Sequence, residues 1–254
     1  MRNFKLIPLA FALCALSSCV PPRPPLIHPY VCSGTAYDSE IYNCVDGRLT
    51  SRSSSSIAMS SSGISSSSSG EKGNNIANYR AVKIGTQTWM AENLDYNVAG
   101  SRCYSDDPAN CAKYGRLYDW ATAMALPSSC NTSTCSGQIG VKHRGICPYG
   151  WHIPSNAELD TLVTTVGDPL TAGKYLKATS GWNEDGNGTD DFGFSALPGG
   201  TGGLFLGIGN DGIWWSSSQY FGLAYEYRLS YDNAFYRKHS NSNSNLRSVR
   251  CIKD

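Results

Sequence analysis

The most regular apolar pattern in the chain predicts a helix that begins just after Pro154. Apolar side chains then recur at intervals of three or four residues, which places them on one helical face; they are Leu159, Leu162, Val163 and Val166. Ser155 and Glu158 stand ahead of this stripe in the spacing of a capping box, in which each side chain bonds to the backbone nitrogen of the other. Gly167 favours termination of the helix there.

Shorter apolar runs predict strands and one further helix. Residues 79–84 and 87–90 flank Gly85-Thr86, which is typical of a hairpin. Helical spacing of apolar residues predicts a helix over 116–126. Further strands are expected at 213–216, 224–230, 234–238 and 248–252, with the turn of a second hairpin at 231–233. Two early helices and many later strands indicate an α+β fold.

The first residues predict export and lipidation. A short apolar stretch from Leu6 to Leu16 is too short to span a bilayer and is typical of a signal peptide. Leu16-Ser17-Ser18-Cys19 resembles the bacterial lipobox, which implies cleavage after residue 18 and attachment of lipid to Cys19. Val20 favours the outer membrane over retention at the inner one. A plain secreted protein with a chance cysteine is the alternative.

The segments that follow differ in composition. We expect a membrane anchor and a small stapled segment over 19–50, a serine-rich disordered linker over 51–77, and one globular domain over 78–254. The chain carries 21 Lys and Arg against 20 Asp and Glu. This near balance, without a run of like charges, argues against nucleic acid as a partner.

Eight cysteines remain after Cys19, an even number in a compartment where disulfides persist. Zinc sites usually need closely spaced cysteine pairs or neighbouring histidines, and the closest spacing here is Cys130 to Cys135. Disulfides are therefore expected among Cys32, Cys44, Cys103, Cys111, Cys130, Cys135, Cys147 and Cys251.

Six blocks of sequence are distinctive in their order. They are Ile84-Gly-Thr-Gln-Thr-Trp-Met-Ala-Glu-Asn-Leu94, residues 111–120, Cys147-Pro-Tyr-Gly-Trp-His-Ile-Pro154, residues 188–198, Trp215-Ser-Ser217 and Ser248-Val-Arg-Cys251. Together they closely resemble the Fibrobacter succinogenes major paralogous domain, a family abundant in exported proteins of cellulose-degrading bacteria. The resemblance covers about residues 78–254.

This resemblance implies a C-type lectin-like fold, with a small twisted antiparallel sheet, two helices and long disulfide-held loops. It also implies that the chain ends meet, with Cys147 paired to Cys251, and that Cys103–Cys111 and Cys130–Cys135 close local loops. The Cys32–Cys44 staple resembles the usual leader of such lipoproteins. The resemblance carries no established activity. The related formylglycine-generating domains suggest metal or redox chemistry as an alternative, but they use a cysteine pair near the C-terminus, where this chain has only Cys251.

No other residues form a convincing catalytic set. Gly193-Phe-Ser195 approaches a nucleophile motif but lacks its final glycine and a histidine partner. His152 lies between Trp151 and Ile153, where a packed structural histidine is expected. The sequence therefore predicts no enzyme.

Two stretches could bind a ligand. The loop 183–191 carries oxygen-bearing side chains at short intervals, and calcium prefers such ligands; the candidates are Asp185, Asn187, Asp190 and Asp191. The alternative is a polar loop in which these side chains cap turns. The aromatic stretch 214–236 could stack on sugars or could fill the core; the candidates for stacking are Trp214, Trp215, Tyr225 and Tyr227. Strand alternation allows at most one of Trp214 and Trp215 to be exposed.

These expectations combine into a cell-surface lipoprotein whose domain is a binding or adhesion module. Its expected partners are a membrane, through the lipid anchor, and a polysaccharide or surface protein. Calcium is the one candidate cofactor. A purely structural envelope protein is a further alternative.

Overall fold

The computed structural model describes residues 79–254 and the backbone of four short strands nearer the N-terminus. These strands pair as two antiparallel hairpins: β1 (Tyr30–Cys32) with β2 (Thr35–Tyr37), and β3 (Tyr42–Val45) with β4 (Arg48–Ser51). The chain divides into two units, residues 1–65 and 66–254. The predicted signal peptide, Cys19, the Cys32–Cys44 disulfide and, apart from Ser51, the serine-rich linker lie outside the described residues.

Residues 79–254 contain small antiparallel sheets and four α-helices. In chain order the elements are β5 (Ala81–Ile84), β6 (Gln87–Met90), α1 (Pro108–Tyr114), α2 (Trp120–Ala123), β7 (Trp151–His152), α3 (Asn156–Val166), α4 (Ala172–Leu176), β8 (Gly199–Thr201), β9 (Leu206–Ile208), β10 (Asp211–Tyr220), β11 (Leu223–Ser230), β12 (Arg237–Asn241) and β13 (Ile252–Lys253). One sheet has the order β5-β6-β13-β7, a second β10-β11-β12, and β8 pairs with β9. The α+β prediction is confirmed at this level. Among the described helices, none combines the length and apolar character that crossing a membrane requires.

The helix α3 forms as its sequence predicts. The Ser155 hydroxyl accepts a hydrogen bond from the Glu158 backbone nitrogen, and the Glu158 carboxylate accepts one from the Ser155 nitrogen at 2.8 Å. These bonds satisfy two donors that a helix start leaves without intrahelical partners. The helix ends at Gly167, and its apolar stripe is buried.

The predicted helix over 116–126 is wrong in length, because residues 116–118 are extended. The backbone of Leu117 exchanges hydrogen bonds with Arg102, and that of Tyr118 does so with Arg247. Asp119 then caps a helix that spans only Trp120–Ala123. Pairing with distant segments thus overrides the local helical spacing in the first part of this stretch.

The second hairpin exists, but its second strand begins three residues later than predicted. Residues 231–236 form a connection that is held against α4 and its approach: the Gly173 nitrogen bonds to the Ala234 carbonyl, and the Tyr236 nitrogen bonds to the Pro169 carbonyl. The final predicted strand, 248–252, is regular only at Ile252–Lys253, while Ser248 makes an isolated parallel bridge to Trp214.

Both faces of β10 are buried from Gly212 to Ser217, and this divides the core in two. Trp214 faces a cluster that contains the α3 stripe and Trp89, whereas Trp215 faces a second cluster with Trp120 and Trp151. All six tryptophans of the chain are buried. Strand alternation therefore separates the adjacent pair as expected, but neither ring reaches solvent.

All six cysteines between residues 79 and 254 are in disulfides. The pairs are Cys103–Cys111, Cys130–Cys135 and Cys147–Cys251, which are the pairs that the family resemblance implies. Cys147 precedes β7 and Cys251 precedes β13, so the long-range bridge fastens two neighbouring strands of one sheet.

The long-range disulfide should contribute more to stability than a short one. Replacing both Cys147 and Cys251 by alanine opens a loop with a sequence separation of 104, whereas the Cys103/Cys111 double variant opens one of 8. Loop-closure entropy then gives losses of about 4–5 and about 2–3 kcal/mol in the free energy of unfolding, respectively. Urea unfolding of both variants measures this, and an equal loss in the two would contradict the entropic account.

Candidate binding cleft

An open cleft of about 570 Å³ lies at the N-terminal end of α3. One wall is the loop 136–142, the base contains Ile153, Ser155 and Glu158, and the other wall is the end of β10 from Ser217 to Gln219. The volume is within the range of small-molecule sites, about 300–1,000 Å³. This is the candidate functional site.

The β10 wall is fixed against the start of α3 by hydrogen bonds. The ladder between β10 and β11 is interrupted between Trp215 and Gln219. In this bulge the Ser217 backbone nitrogen donates to the Pro154 carbonyl at 2.9 Å, and the Asn156 nitrogen donates to the Ser218 hydroxyl at 3.0 Å. A bulge turns strand groups away from ladder pairing, and here it turns them toward the cleft.

The opposite wall is a loop that one disulfide and two hydrogen bonds hold in place. The Cys130–Cys135 disulfide closes its beginning, and the Cys135 nitrogen donates to the Gln219 side chain at 3.3 Å across the cleft. At its far end, His143 bonds to the Met124 carbonyl at 2.8 Å. The wall is therefore tied at both ends while its middle, with a fully exposed Val141, stands in solvent.

A buried histidine supports the base of the cleft. The two ring nitrogens of His152 lie 2.8 Å from a Glu158 oxygen and 2.7 Å from an Asp254 oxygen. Burial disfavours the charged ring, but these two hydrogen bonds outweigh it and raise the pKa of His152 above 6.5. Burial likewise opposes ionisation of Glu158, yet hydrogen bonds from His152 and Ser155 lower its pKa to about 2.

The cleft combines apolar side chains, those of Ile139, Val141 and Ile153, with polar groups that carry little net charge. Its charged lining groups are Lys142, which is exposed, and Glu158, which is paired with the His152 ring. The other polar lining groups are the hydroxyls of four serines and the amide of Gln219. Such groups can donate and accept hydrogen bonds without demanding a charged ligand.

Three of the four aromatic residues predicted to bind a ligand belong to the core. Trp214, Trp215 and Tyr227 are buried, and Tyr225 is half-buried. The Trp214 and Trp215 ring nitrogens donate to the Asn93 side chain and the Tyr118 carbonyl, each at 2.8 Å. These three rings are therefore enclosed by core side chains in this structure, and of the four candidates only Tyr225 is partly open to a ligand.

Two of the four residues predicted to bind calcium, Asn187 and Asp190, accept hydrogen bonds from residues that flank the loop 183–191. The Asn187 side chain accepts a hydrogen bond from the Trp182 nitrogen at 3.0 Å, and Asp190 accepts two at 2.6 Å from the nitrogen and hydroxyl of Ser195. Within 79–254 no three His, Cys, Asp or Glu side chains are grouped so that they could hold a metal ion. Asp185 and Asp191 thus do not join Asp190 in such a group.

The exposed aromatic residues beside the cleft belong to the stretch 214–236 that the sequence singles out, but they are not among its four named candidates. Tyr220 and Phe221 follow Gln219 directly and are 53% and 88% exposed. The signal that could have found them is Gly222: an exposed two-residue turn there would end β10 and leave both rings outside the core.

The comparisons with known proteins give a family. The model of the Fibrobacter succinogenes major domain family matches residues 82–253, so the chain belongs to this family. Neither a curated protein nor a solved structure matches the chain.

The His152 pair makes stability depend on pH. Because the folded-state pKa of His152 is raised, its contribution is fully present below pH 6.5 and is lost as the pH rises through the folded pKa. The lowered pKa of Glu158 gives a contribution that is present above pH 4.5 and is lost as the pH falls toward about 2. Urea unfolding should therefore give a lower free energy of unfolding at pH 8.5 than at pH 5.5. The difference should be about 1.4 kcal/mol for each pH unit by which the folded-state pKa of His152 exceeds 6.5.

The variant His152→Gln serves as the control for this prediction. Glutamine can still donate a hydrogen bond but does not titrate, so its unfolding free energy should lose the alkaline decline. An equal decline in His152→Gln would assign the effect to other groups.

Proposed function

We propose that the protein is a lipid-anchored surface module that binds a neutral, hydroxyl-rich ligand in the cleft and does not catalyse a reaction on it. The observation that carries this proposal is the chemistry of the lining, in which four serine hydroxyls and one amide stand beside apolar side chains in an opening with little net charge. A glycan fits this chemistry better than an ionic ligand does, since serine and glutamine side chains match sugar hydroxyls as donors and acceptors.

The state of the reactive groups supports binding over catalysis. Both His152 nitrogens bond to carboxylates, so the ring is not placed to activate a serine hydroxyl. The six cysteines of residues 79–254 are all oxidised in disulfides, and the thiol chemistry of formylglycine-generating domains needs a thiolate. The C-type lectin-like fold and an adhesive role belong to the same proposal.

The location is proposed from the first residues of the sequence. Leu16-Ser17-Ser18-Cys19 has the order of a lipobox, and Val20 favours the outer membrane. Lipid on Cys19 would hold the chain at the membrane without a spanning segment, with the serine-rich stretch as a spacer between membrane and domain.

Blocking the cleft tests the binding function. A Cβ added at Gly140 meets no atom within 4 Å, and this glycine lines the cleft, so Gly140→Trp should fill the cleft without straining the fold. The full chain is titrated calorimetrically with soluble hexasaccharides: β-1,4-linked glucose, α-1,4-linked glucose and acidic galacturonate. We expect a neutral hexasaccharide to bind and Gly140→Trp to weaken it at least tenfold, by steric exclusion of the ligand.

Gly137→Trp is the matched control. Gly137 lies in the same loop and also has open space for a Cβ, but it is not part of the cleft lining. It should bind as the native chain does. Absence of binding to all three sugars, or preference for the acidic one, would contradict the proposal; no binding at all would favour the structural envelope role.

Lipidation is tested by labelling. Cells expressing the full chain are grown with labelled palmitate, and the protein should carry label because the thioether forms on Cys19. The Cys19→Ala variant removes the sulfur and should carry none. Label that persists in Cys19→Ala, or that is absent from the native chain, is incompatible with the lipoprotein proposal.

A further inference from the structure

The turn that joins β10 to β11 contains a residue type that is unusual at its position. Tyr220 pairs with Leu223, so the connection is the two residues Phe221 and Gly222. Their φ angles are 48° and 82°, and positive values at both positions define the type I′ turn. This turn matches the twist of the flanking strands, and its first position is normally Asn, Asp or Gly.

Phenylalanine is costly at this position and contributes little to folding there. A bulky side chain at positive φ is strained, because its Cβ crowds the backbone. The ring is also 88% exposed, so it gains little from burial. Strained backbone conformations of this kind cluster at functional sites. The exposed Phe221 ring is therefore a candidate for binding a ligand.

Phe221 belongs to a small aromatic cluster, which we call the hairpin tip and define as Tyr220, Phe221 and Tyr225. The Phe221 and Tyr220 ring centroids are 4.5 Å apart at an interplanar angle of 77°, and Tyr220 and Tyr225 are 6.2 Å apart at 48°. The rings thus pack edge-to-face or tilted against one another, and this packing leaves a face of the Phe221 ring open to solvent.

The hairpin tip and the cleft are connected by hydrogen bonds to the same segment, around Cys130–Cys135. Gln219 lines the cleft and immediately precedes Tyr220, and its side-chain oxygen accepts the hydrogen bond from Cys135 in the opposite wall. On the other side of the turn, the Gly222 carbonyl accepts a hydrogen bond from Asn243 at 3.0 Å, and the same amide group of Asn243 donates to the Cys130 carbonyl at 2.8 Å. The tip is therefore held in a fixed position relative to the cleft.

We infer that the hairpin tip stacks on one pyranose ring of a neutral β-1,4-linked oligosaccharide whose other rings lie in the cleft. This inference rests on the proposed function and adds the substrate class and its extent. A pyranose with equatorial substituents presents a flat face of C–H groups, which complements the negative face of an aromatic ring. The β-1,4 linkage keeps such a chain extended, so one ring can reach the tip while its neighbours contact the cleft hydroxyls.

Phe221→Asn separates the role of the ring from its role in folding. Asparagine tolerates positive φ, and Asn-Gly is a preferred type I′ pair, so the hairpin should keep its stability while it loses the stacking face. The full chain is titrated with a hexasaccharide and a trisaccharide of β-1,4-linked glucose. Loss of one aromatic contact should raise the Kd of the hexasaccharide about threefold to tenfold and leave that of the trisaccharide unchanged.

Tyr220→Thr, which keeps a β-favouring residue in the strand, should have the same selective effect. Phe235→Thr is the matched control: Phe235 is also an exposed aromatic, but it lies beyond the opposite end of β11, and its replacement should change neither Kd.

The outcomes distinguish this inference from the function on which it rests. If Gly140→Trp abolishes hexasaccharide binding but Phe221→Asn leaves it unchanged, the cleft binds sugar and the inference about the tip is overturned. Equal losses for both sugar lengths would also overturn it, because the tip would then act through the cleft. The saccharide assignment fails together with the proposed function in either of two cases. The native chain binds no oligosaccharide, or Phe221→Asn impairs binding of a surface protein but of no sugar.

Discussion

The fold depends on a buried contact between Asn93 and Arg250. The Arg250 guanidinium is almost fully buried and donates from Nε and Nη2 to the Asn93 oxygen at 3.1 and 2.7 Å, and from Nη1 to the Phe194 carbonyl. Burial lowers the pKa of Arg250 to about 9, so the group still carries its charge near neutrality. Taking that charge out of water costs several kcal/mol, and the surrounding oxygens and the Phe194 ring, 4.3 Å away, offset this cost only if they stay in place.

Asn93 extends this constraint to other segments. Its oxygen also accepts the Trp214 ring nitrogen, and its amide donates to the Tyr114 carbonyl at 2.8 Å. One side chain thus joins the turn after β6, the end of α1, β10 and the approach to β13. Three of the six family blocks supply Asn93, Phe194 and Arg250. The family resemblance therefore identifies the scaffold more directly than it identifies what the cleft binds.

The sequence predicted the parts of the fold that rest on local chemistry. The capping box at Ser155, the helix that follows it and the hairpin before Met90 depend on neighbours in the chain, and they are present. The helix predicted from residue 116 begins only at Trp120, because Leu117 and Tyr118 form isolated bridges to Arg102 and Arg247. Periodicity carries no information on such partners.

The same limit applies to the site. Alternation placed Trp214 and Trp215 on opposite faces but could not tell that helices and loops cover both. The cleft assembles residues from a loop near 140, the α3 start and a bulge near 217, which only the tertiary fold brings together. Phe221 could have been recognised from its position before Gly222, had the two-residue turn been assigned.

The edge position of β5 has a mechanical consequence. β5 is the first strand of the domain and an edge strand, with β6 as its one sheet neighbour, while the Cys147–Cys251 bridge lies on the far side of β6 near β7 and β13. Tension transmitted along the chain from residue 78 would load β5 from its free end and peel its four residues one bond at a time. The Cys147–Cys251 bridge closes a loop that contains α3 and the end of β10, so a pull from the N-terminal side of the domain would open β5 before it reached these two parts of the cleft.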